Sequence, residues 1–211
     1  MNEQYYTAEP TCASNPVPCD FTYRGHSLSF MTDAGVFSRG ELDQGTRLLL
    51  DALPELSGDV LDLGCGWGAI GVSLAKANPA CRVVMADVNR RALEWAKANL
   101  SRNGVSARCV ESDGMAALSS LRFDAVVTNP PIRAGKQVIY RMFADAARVL
   151  EPDGALYLVI RKQQGAESCM KYLKTLYGSV EKLDKSAGFW VLMASEPRRE
   201  DTKDEVQPGV L

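Results

Sequence analysis

Short apolar runs alternate with amphipathic stretches from Gly58 onward, and this rhythm constrains the fold more than any other feature of the chain. The runs that have the length of a buried strand cover residues 59–63, 81–87, 107–110, 123–128 and 155–160. Helical patterns fill the intervals, as expected for a parallel sheet covered by helices. Two further runs, 179–184 and 189–194, are joined by a turn too short for a crossover, so they predict an antiparallel hairpin.

The predicted fold class is α/β, with a Rossmann-like doubly wound sheet of seven strands that is mostly parallel and ends in the C-terminal antiparallel hairpin. The helices expected around this sheet cover residues 69–77, 90–102, 115–119, 136–150 and 166–176. Residues 151–154 carry a turn signal. Ahead of the sheet, residues 21–31 alternate like an N-terminal β-hairpin, and residues 42–53 indicate an added helix.

Composition indicates one folded domain. With 211 residues, of which 46% are hydrophobic, the chain can bury a single core. We predict one domain over residues 20–195, a flexible segment over 1–19 and a disordered tail over 196–211. The formal net charge of -2 argues against a protein that coats nucleic acid indiscriminately, because that mode needs many phosphate neutralisations. A local basic patch is compatible with this charge.

Cysteine usage and the start of the chain indicate a reduced compartment. The six cysteines form no CxxC pair, so we predict free thiols, with a Cys12–Cys19 disulfide as the alternative. The first residues lack the apolar core of a secretory signal, and no apolar run has membrane-spanning length, so we predict a cytoplasmic protein without a membrane partner. His26 is the only histidine, and we predict no metal site.

A glycine-rich loop follows the first strand of the predicted sheet. Gly64, Gly66 and Gly68 let the backbone turn sharply and approach a ligand, while the next helix presents free N–H groups. This geometry suits a nucleoside, and Asp87 at the end of the second strand can accept both ribose hydroxyls. Residues 66–71 also satisfy the dinucleotide pattern G-x-G-x-x-G, so the loop alone fits NAD as well as S-adenosylmethionine.

Two acidic positions bear on the choice of ligand. Asp62, just before the loop, favours a cofactor that carries a positive amino acid group and repels pyrophosphate. Its structural alternative is a hydrogen bond to the backbone of the turn. Ser112 and Asp113, after the third strand, can reach an adenine amino group, or they cap the helix predicted over residues 115–119.

The segment Asn129-Pro130-Pro131-Ile132, called the clamp below, follows the fourth strand and should lie beside the loop at the carboxyl edge of the sheet. The Asn129 side-chain oxygen and the Pro130 carbonyl are two acceptors that can hold a planar exocyclic amine, and Ile132 would press on one face of its base. Preorganised carbonyl dipoles stabilise the positive charge that appears on the nitrogen during methyl transfer. The alternative is that these prolines merely end a strand.

At these motifs the chain resembles class I S-adenosylmethionine-dependent methyltransferases, specifically the "small domain" group that contains the ribosomal RNA guanine-N2 methyltransferases. The resemblance covers residues 21–194 and rests on GVFSRG at 35–40, LDQGT at 42–46, LDLGCGWG at 61–68 and TNPPIRAGK at 128–136. It implies methyl transfer to guanine N2, with ribosomal RNA or a ribosome assembly intermediate as partner. We expect no second methyltransferase-like domain of the kind that precedes the catalytic one in the better-known ribosomal members, and Ile132 stands where their clamp often has Phe.

Motif chemistry and resemblance together give the predicted site, in which Asn129 and Pro130 are catalytic. The predicted S-adenosylmethionine-binding residues are Phe37, Asp62, Gly64, Cys65, Gly66, Gly68, Asp87, Val88, Ser112, Asp113 and Asn129. The predicted substrate-binding residues are Arg39, Pro131, Ile132, Arg133 and Lys136. Arg39, Arg133 and Lys136 border the clamp, where phosphate contacts can position RNA. Further basic residues near the cleft are Arg141, which we expect on a solvated helix face, Arg161 and Lys162.

Three other functions fit parts of this pattern. A protein glutamine-amide methyltransferase faces the same planar nitrogen, but the known enzymes of that kind resemble this chain less, because their clamp typically ends in Tyr. A non-catalytic cofactor-binding RNA assembly factor would bind the cofactor and transfer no methyl group. An NAD dehydrogenase fits least, since the chain offers no convincing acid for a hydride site.

Overall fold

A mostly parallel sheet forms the centre of the molecule in the computed structural model, which describes residues 10–198. The strands in chain order are β1 (Val17–Tyr23), β2 (His26–Thr32), β3 (Gly58–Leu63), β4 (Cys81–Asp87), β5 (Arg108–Glu111), β6 (Phe123–Thr128), β7 (Leu150–Arg161), β8 (Tyr177–Ser186) and β9 (Phe189–Pro197). β1 and β2 form a separate hairpin, and the others form a seven-stranded sheet of order β5-β4-β3-β6-β7-β9-β8. Pairing is parallel from β5 to β7, and β9 runs antiparallel to β7 and β8. The predicted fold class is confirmed.

Helices cover both faces of this sheet. Within the described residues they are α1 (Gln44–Ala52), α2 (Ala69–Ala77), α3 (Arg90–Arg102), α4 (Lys136–Val149) and α5 (Ala166–Leu176). One apolar layer joins α1, α2, α3 and the hairpin to the sheet, with Leu49 and Leu74 fully buried. The other joins α4 and α5 to the opposite face, with Phe143 and Leu173 fully buried. This is the two-sided covering that the apolar strands require.

The N-terminal hairpin turns at Arg24 and Gly25. Both residues have positive φ, 46° and 79°, as a tight two-residue hairpin turn requires. The predicted hairpin is therefore confirmed.

The free edge of β2 is bonded to α3 by two side-chain amides. Asn103 accepts from Ser29 N at 3.0 Å and donates to Ser29 O at 2.8 Å. Asn99, one helical turn earlier, accepts from Met31 N at 2.8 Å and donates to Met31 O at 2.9 Å. The same nitrogen donates to Trp67 O at 2.9 Å. The hairpin is thus joined to α3 and to the loop that follows β3.

Two local predictions were wrong. Residues 115–119 form successive turns instead of a helix, because Leu118 N bonds to Met115 O three residues back while both side chains enter the core. Residues 151–154 do not end an element but bulge within β7, since pairing with β6 stops at Leu150 and resumes at Ala155. Short 3-10 helices that were not predicted cover Ile132–Ala134 and Lys162–Gln164.

The described residues begin within the segment that was predicted to be flexible. Arg91 donates to the carbonyls of Pro10 and Cys12, at 3.3 and 2.9 Å, and β1 already begins at Val17. Hydrogen bonds therefore join residues 10–19 to the domain before the predicted boundary at residue 20.

Residues 1–9 and 199–211, with most of the predicted tail, lie outside the described residues. All six cysteines are free, so the alternative Cys12–Cys19 disulfide does not form. Between residues 10 and 198, no helix combines the length and apolarity needed to cross a membrane.

Candidate active site

The loop between β3 and α2 is open on one side. Gly64 and Gly66 have φ of 73° and 55°, and a Cβ added to either would meet nothing within 4 Å. Gly68, with φ of 93°, precedes α2, and a Cβ there would meet the Met85 side chain at 2.7 Å. Positive φ and close packing explain the glycines, and a ligand can approach the backbone at the first two.

Asp87 fastens this loop to the end of β4. Its Oδ2 accepts from Gly66 N at 2.7 Å, and its Oδ1 accepts from Asn89 N at 2.8 Å. Burial raises the pKa of the Asp87 carboxyl above its ordinary value, against the opposing effect of these backbone donors. Each carboxylate oxygen has a second lone pair, so Asp87 can still accept from a ligand hydroxyl.

Asp62 lies beneath the loop and is completely buried. Its Oδ2 accepts from Gly71 N at 2.8 Å, which is the structural role considered for it, while Oδ1 has no partner among residues 10–198. Burial, reinforced by the charge of Asp87, raises the pKa of Asp62 to about 7. An unpaired buried carboxylate oxygen is costly, and a cationic ligand group would relieve that cost.

Asn129 directly follows β6, the strand beside β3. Its side-chain nitrogen donates to Asp43 Oδ2 at 3.0 Å and to Thr46 Oγ1 at 2.9 Å. Both amide hydrogens are therefore used, and the side-chain oxygen remains as an acceptor.

The two prolines of the clamp differ in what their carbonyls do. The Pro131 carbonyl accepts from Ala134 N at 2.8 Å as the 3-10 helix begins, whereas no donor among the described residues bonds to the Pro130 carbonyl. Thr128 Oγ1 donates to Leu63 O at 2.7 Å and ties the clamp to the strand that leads into the loop. Two carbonyl oxygens, from Asn129 and Pro130, are thus left as acceptors side by side in the chain.

Loop and clamp face one cavity of about 360 Å³ at the point where the strand order reverses between β3 and β6. Such a reversal is where open α/β sheets bind ligands, and the volume lies within the range of roughly 300–1,000 Å³ found for ligand pockets. The predicted residues that line it are Phe37, Gly64, Cys65, Gly66, Asp87, Val88, Ser112, Asp113, Asn129, Pro130 and Pro131.

The predicted site residues that do not line this cavity are Arg39, Asp62, Gly68, Ile132, Arg133 and Lys136. Asp62 and Gly68 support the loop from below. Ile132 begins the 3-10 helix Ile132–Ala134, which turns its side chain into the apolar layer beneath α4 and α5. Its side chain is only half-buried there, and the contact between Ile132 and the face of a base stays a prediction.

The basic residues predicted for substrate lie outside the cavity lining. Arg39 donates from Nε and Nη2 to Asn15 O, at 3.0 and 2.8 Å. Lys136 Nζ lies 5.0 Å from the ring centroid of Tyr140, and Arg133 is exposed at the clamp. A phosphate contact by Arg39 would share its guanidinium with Asn15.

Ser112 and Asp113 occupy the cavity wall in different ways. Ser112 Oγ accepts from Ala117 N at 3.1 Å and donates to Gly114 O at 2.9 Å, so its hydroxyl secures the turns after β5. Asp113 forms a 3.2 Å ion pair with Arg141. Arg141 lines the cavity and does not lie only on a solvated helix face as expected.

Asp43, Thr46 and Trp67 also line the cavity and were not among the predicted site residues. Asp43 accepts from Thr46 N at 3.0 Å as the N-cap of α1, and both residues hold Asn129 from 83 to 86 positions away. Trp67 Nε1 donates to Phe37 O at 2.8 Å. The N-cap pattern at Asp43 was visible in the sequence, but its contact across the chain was not.

The comparison with known families can now be set beside this geometry. A sequence profile described as "Methyltransferase small domain" matches residues 27–193, a range that contains the loop, the clamp and the whole cavity wall. The chain belongs to the methyltransferase small domain family. This assignment confirms the resemblance seen at the loop and the clamp.

Curated relatives place the chain within this family. The uncharacterized protein YbxB of Bacillus subtilis is 39% identical over 200 residues, which is 93% of this chain and 100% of that protein. The ribosomal RNA small subunit methyltransferase C of Hahella chejuensis is 43% identical over 141 residues, or 64% of this chain and 41% of that protein. The chain therefore spans less than half the length of that methyltransferase.

A solved structure of the same family gives a direct comparison. The 16S rRNA N2 G1207 methyltransferase (RsmC) of T. thermophilus, in complex with AdoMet and guanosine, aligns with a TM-score of 0.79 and 31% identity over 87% of this chain and 51% of that one. A ribosomal protein L11 methylase from Lactobacillus delbrueckii subsp. bulgaricus aligns with a TM-score of 0.65 at 18% identity, which shows a shared fold alone.

Proposed function

We propose that this protein is an S-adenosylmethionine-dependent methyltransferase that methylates an exocyclic amine of a nucleobase, guanine N2 in ribosomal RNA. The observation that carries the proposal is the side-chain amide of Asn129, whose nitrogen is committed to Asp43 and Thr46 while its oxygen stays available in the cavity. A hydrogen-bond acceptor at that point suits an amine that donates its hydrogens, whereas hydride or acyl transfer would not need such an acceptor.

The residues on the loop side of the cavity fit S-adenosylmethionine. Asp62 lies beneath the loop, outside the cavity lining, and its buried carboxylate oxygen without a partner among the described residues suits the ammonium of a methionyl group and disfavours pyrophosphate. Gly64 and Gly66 leave open space where a ligand can approach the backbone, and Asp87 can accept from ribose hydroxyls. The Asp62 and Asp87 carboxylates argue against NAD, because that cofactor would bring its phosphates toward one buried and one half-buried acidic group.

The chemistry needs positioning more than it needs a base. When bound, S-adenosylmethionine supplies a sulfonium methyl group, and the acceptor nitrogen forms the new N–C bond as the C–S bond breaks, with the electron pair left on sulfur. Asn129 Oδ1 and the Pro130 carbonyl accept the two amine hydrogens and orient the nitrogen. Their dipoles stabilise its developing positive charge, and the extra proton then leaves to water.

Ribosomal RNA is the proposed partner because two proteins that are similar to this chain are named as ribosomal RNA methyltransferases. The target guanine must be unpaired or flipped out to reach Asn129, so RNA in an assembly intermediate is a suitable substrate. We propose that phosphate contacts and base contacts come from residues at the rim, namely Arg39, Pro131, Ile132, Arg133 and Lys136.

Methyl transfer from tritiated S-adenosylmethionine tests this proposal. RNA, ribosomal subunits and total protein from a strain that lacks the gene are incubated with the purified protein, and labelled nucleosides are then identified. We expect N2-methylguanosine in ribosomal RNA. Label on a protein glutamine would support the amide enzyme instead, and cofactor binding without transfer to any fraction would support the assembly factor.

The variant Asn129→Ala separates the clamp from the cofactor site. Loss of a preorganised acceptor should lower the transfer rate by roughly 10²–10³-fold, while affinity for S-adenosylhomocysteine changes by only a few-fold. Isothermal titration and single-turnover transfer measure the two quantities. The control is Gln163→Ala, an exposed position outside the cavity that should change neither. Equal losses of binding and transfer would mean that Asn129 is structural.

A further inference from the structure

The orientation of the Asn129 amide follows from the chemistry of its two neighbours. A hydroxyl can donate or accept, so Thr46 Oγ1 at 2.9 Å would fit either end of the amide. A carboxylate can only accept, so Asp43 Oδ2 at 3.0 Å fits only the amide nitrogen. A flipped amide would set its oxygen against the carboxylate. Asp43 therefore selects the orientation, and Thr46 completes it.

We propose that Asp43 and Thr46 are positioning residues that hold the Asn129 oxygen toward the acceptor amine. This inference rests on the proposed function, in which that oxygen accepts from the amine. It assigns a catalytic purpose to the start of α1, a helix outside the strand–loop–helix units that carry the cofactor loop and the clamp. Asp43 and Thr46, together called the lock below, both line the cavity, so they lie within the site whose geometry they hold.

The start of α1 is built to keep this arrangement rigid. Asp43 Oδ2 also accepts from Thr46 N at 3.0 Å, which makes one carboxylate oxygen the common partner of the helix cap and the clamp. Gly45 packs so closely that an added Cβ would lie 2.8 Å from the Phe189 ring. The first turn of α1 thus packs tightly against the first residue of β9.

Charge gives Asp43 a second effect on the same amide. A carboxylate that accepts from one amide N–H increases the negative partial charge on the amide oxygen, because neighbouring hydrogen bonds polarise one another. A more negative oxygen stabilises the cation that develops on the acceptor nitrogen. Removal of this charge without loss of the hydrogen bond should therefore lower the rate even though the geometry is kept.

Matched substitutions separate these contributions. Asp43→Asn can keep an oxygen on Thr46 N and Asn129 but loses the charge, whereas Asp43→Ser keeps a helix cap and cannot reach Asn129. Thr46→Val removes the acceptor, and Thr46→Ser restores it. We expect kcat to fall about 10-fold in Asp43→Asn and Thr46→Val and about 100-fold in Asp43→Ser, with the affinity for S-adenosylhomocysteine within twofold of wild type.

A double-mutant cycle with Asn129→Ala distinguishes positioning from general damage. If Asp43 and Thr46 act through Asn129, their substitutions cause no further loss of kcat once the amide is gone. Thr46→Ser should recover most of the activity lost in Thr46→Val, and Gln44→Ala in the same helical turn serves as the exposed control. Additive losses in the Asn129→Ala background would overturn the proposal.

NMR of the Asn129 side chain tests its hydrogen bonds without measuring methyl transfer, so its result is independent of the proposed function. With ¹⁵N-labelled asparagine, the Asn129 side-chain signal is assigned by its disappearance in Asn129→Ala. We expect both of its N–H protons to exchange slowly in wild type and faster in Asp43→Ser and Thr46→Val. An Asn129 signal that neither substitution shifts would refute the lock, whereas a perturbed signal in a protein that methylates no RNA would refute only the RNA function.

Discussion

At the scale of single residues, Asp62 is the position where folding and ligand binding conflict most. It is completely buried, near the half-buried carboxylate of Asp87, and one of its oxygens lacks a partner among the described residues. Such a group costs folding free energy whenever it is ionised. Conflicts of this kind concentrate at functional sites, and a cationic ligand group would resolve this one.

This conflict predicts how the stability of the ligand-free protein depends on pH. The folded-state pKa of Asp62 is about 7, above the value of roughly 4 expected in the unfolded chain. The folded state therefore keeps a proton that the unfolded state has lost, so the contribution of Asp62 to stability is greatest below about pH 4 and falls as pH rises toward 7. The contribution of Asp62 is at most ~1.4 kcal/mol per pH unit, and Asp87 acts in the same direction.

Asp62→Asn removes this contribution and should make the ligand-free protein more stable than wild type at pH 8. Urea unfolding at pH 5 and pH 8 measures the effect, with the exposed Asp153→Asn as control. The same variant should bind S-adenosylhomocysteine about 10-fold more weakly if the free oxygen receives an ammonium. A stability difference between variant and wild type that is equal at both pH values contradicts the assignment.

At the scale of elements, the hairpin depends on α3 for the bonds that a third strand would otherwise supply. Asn99 is buried and bonds to Met31 N, Met31 O and Trp67 O through one side chain. Substitution by Ala leaves three backbone groups unpaired, of which the two at Met31 are half-buried and the one at Trp67 is buried. We expect Asn99→Ala to lower the free energy of unfolding by about 2–4 kcal/mol, whereas Lys97→Ala on the exposed face of the same helix should change it by less than about 0.5 kcal/mol.

Chemical denaturation of Asn99→Ala and Lys97→Ala provides the stability values, and hydrogen exchange locates the damage. The Met31 amide should exchange much faster in Asn99→Ala, because its acceptor is that side chain. Unchanged exchange at Met31 together with a large loss of stability would mean that Asn99 acts through packing only.

The sequence predicted those elements whose own residues determine them. α2 and α3 were predicted with their observed bounds, since α2 lies between the loop glycines and Asn78-Pro79, and Asn103-Gly104 ends α3. The helix expected over residues 115–119 fails because the core needs Met115 and Leu118 at a spacing of three, which turns satisfy as well as a helix does. Tertiary packing decides such short segments, and local sequence cannot.

The same distinction between local sequence and tertiary packing holds for the candidate site. Loop and clamp were predicted because each is a continuous motif at the carboxyl end of a strand, so topology brings both to one edge. The contact of Asp43 with Asn129 was not predicted, because it joins residues 86 positions apart. Ile132 was predicted to contact the base from its place beside Pro131, and its half-buried packing against the apolar layer beneath α4 and α5 could not be predicted from that local motif.

At the scale of the whole molecule, charge must be local for the protein to bind RNA. The net charge is -2, so general attraction to phosphate is absent and affinity must come from cations near the cleft. Arg161 ends β7 three residues beyond Leu158, the partner of Thr128 in β6, which puts it on the clamp side of the sheet edge. Its guanidinium stacks 4.5 Å from the Phe189 ring centroid, and no carboxylate of the described residues pairs with it.

A stacked guanidinium has its N–H edge free for a phosphate, so Arg161 is a preorganised contact for the RNA backbone beside the target base. We expect Arg161→Ala to weaken RNA binding and to reduce the slope of log affinity against log salt by about 1, while cofactor affinity is unchanged. Arg148→Ala is the matched control, because Arg148 lies near the C-terminal end of α4, whereas the clamp precedes its N-terminal end, and Arg148 already pairs with Asp145. Binding titrations over a range of salt concentrations measure this slope in both variants. A slope that falls equally in both would reflect net charge. Only a selective change in Arg161→Ala supports a phosphate contact at the clamp.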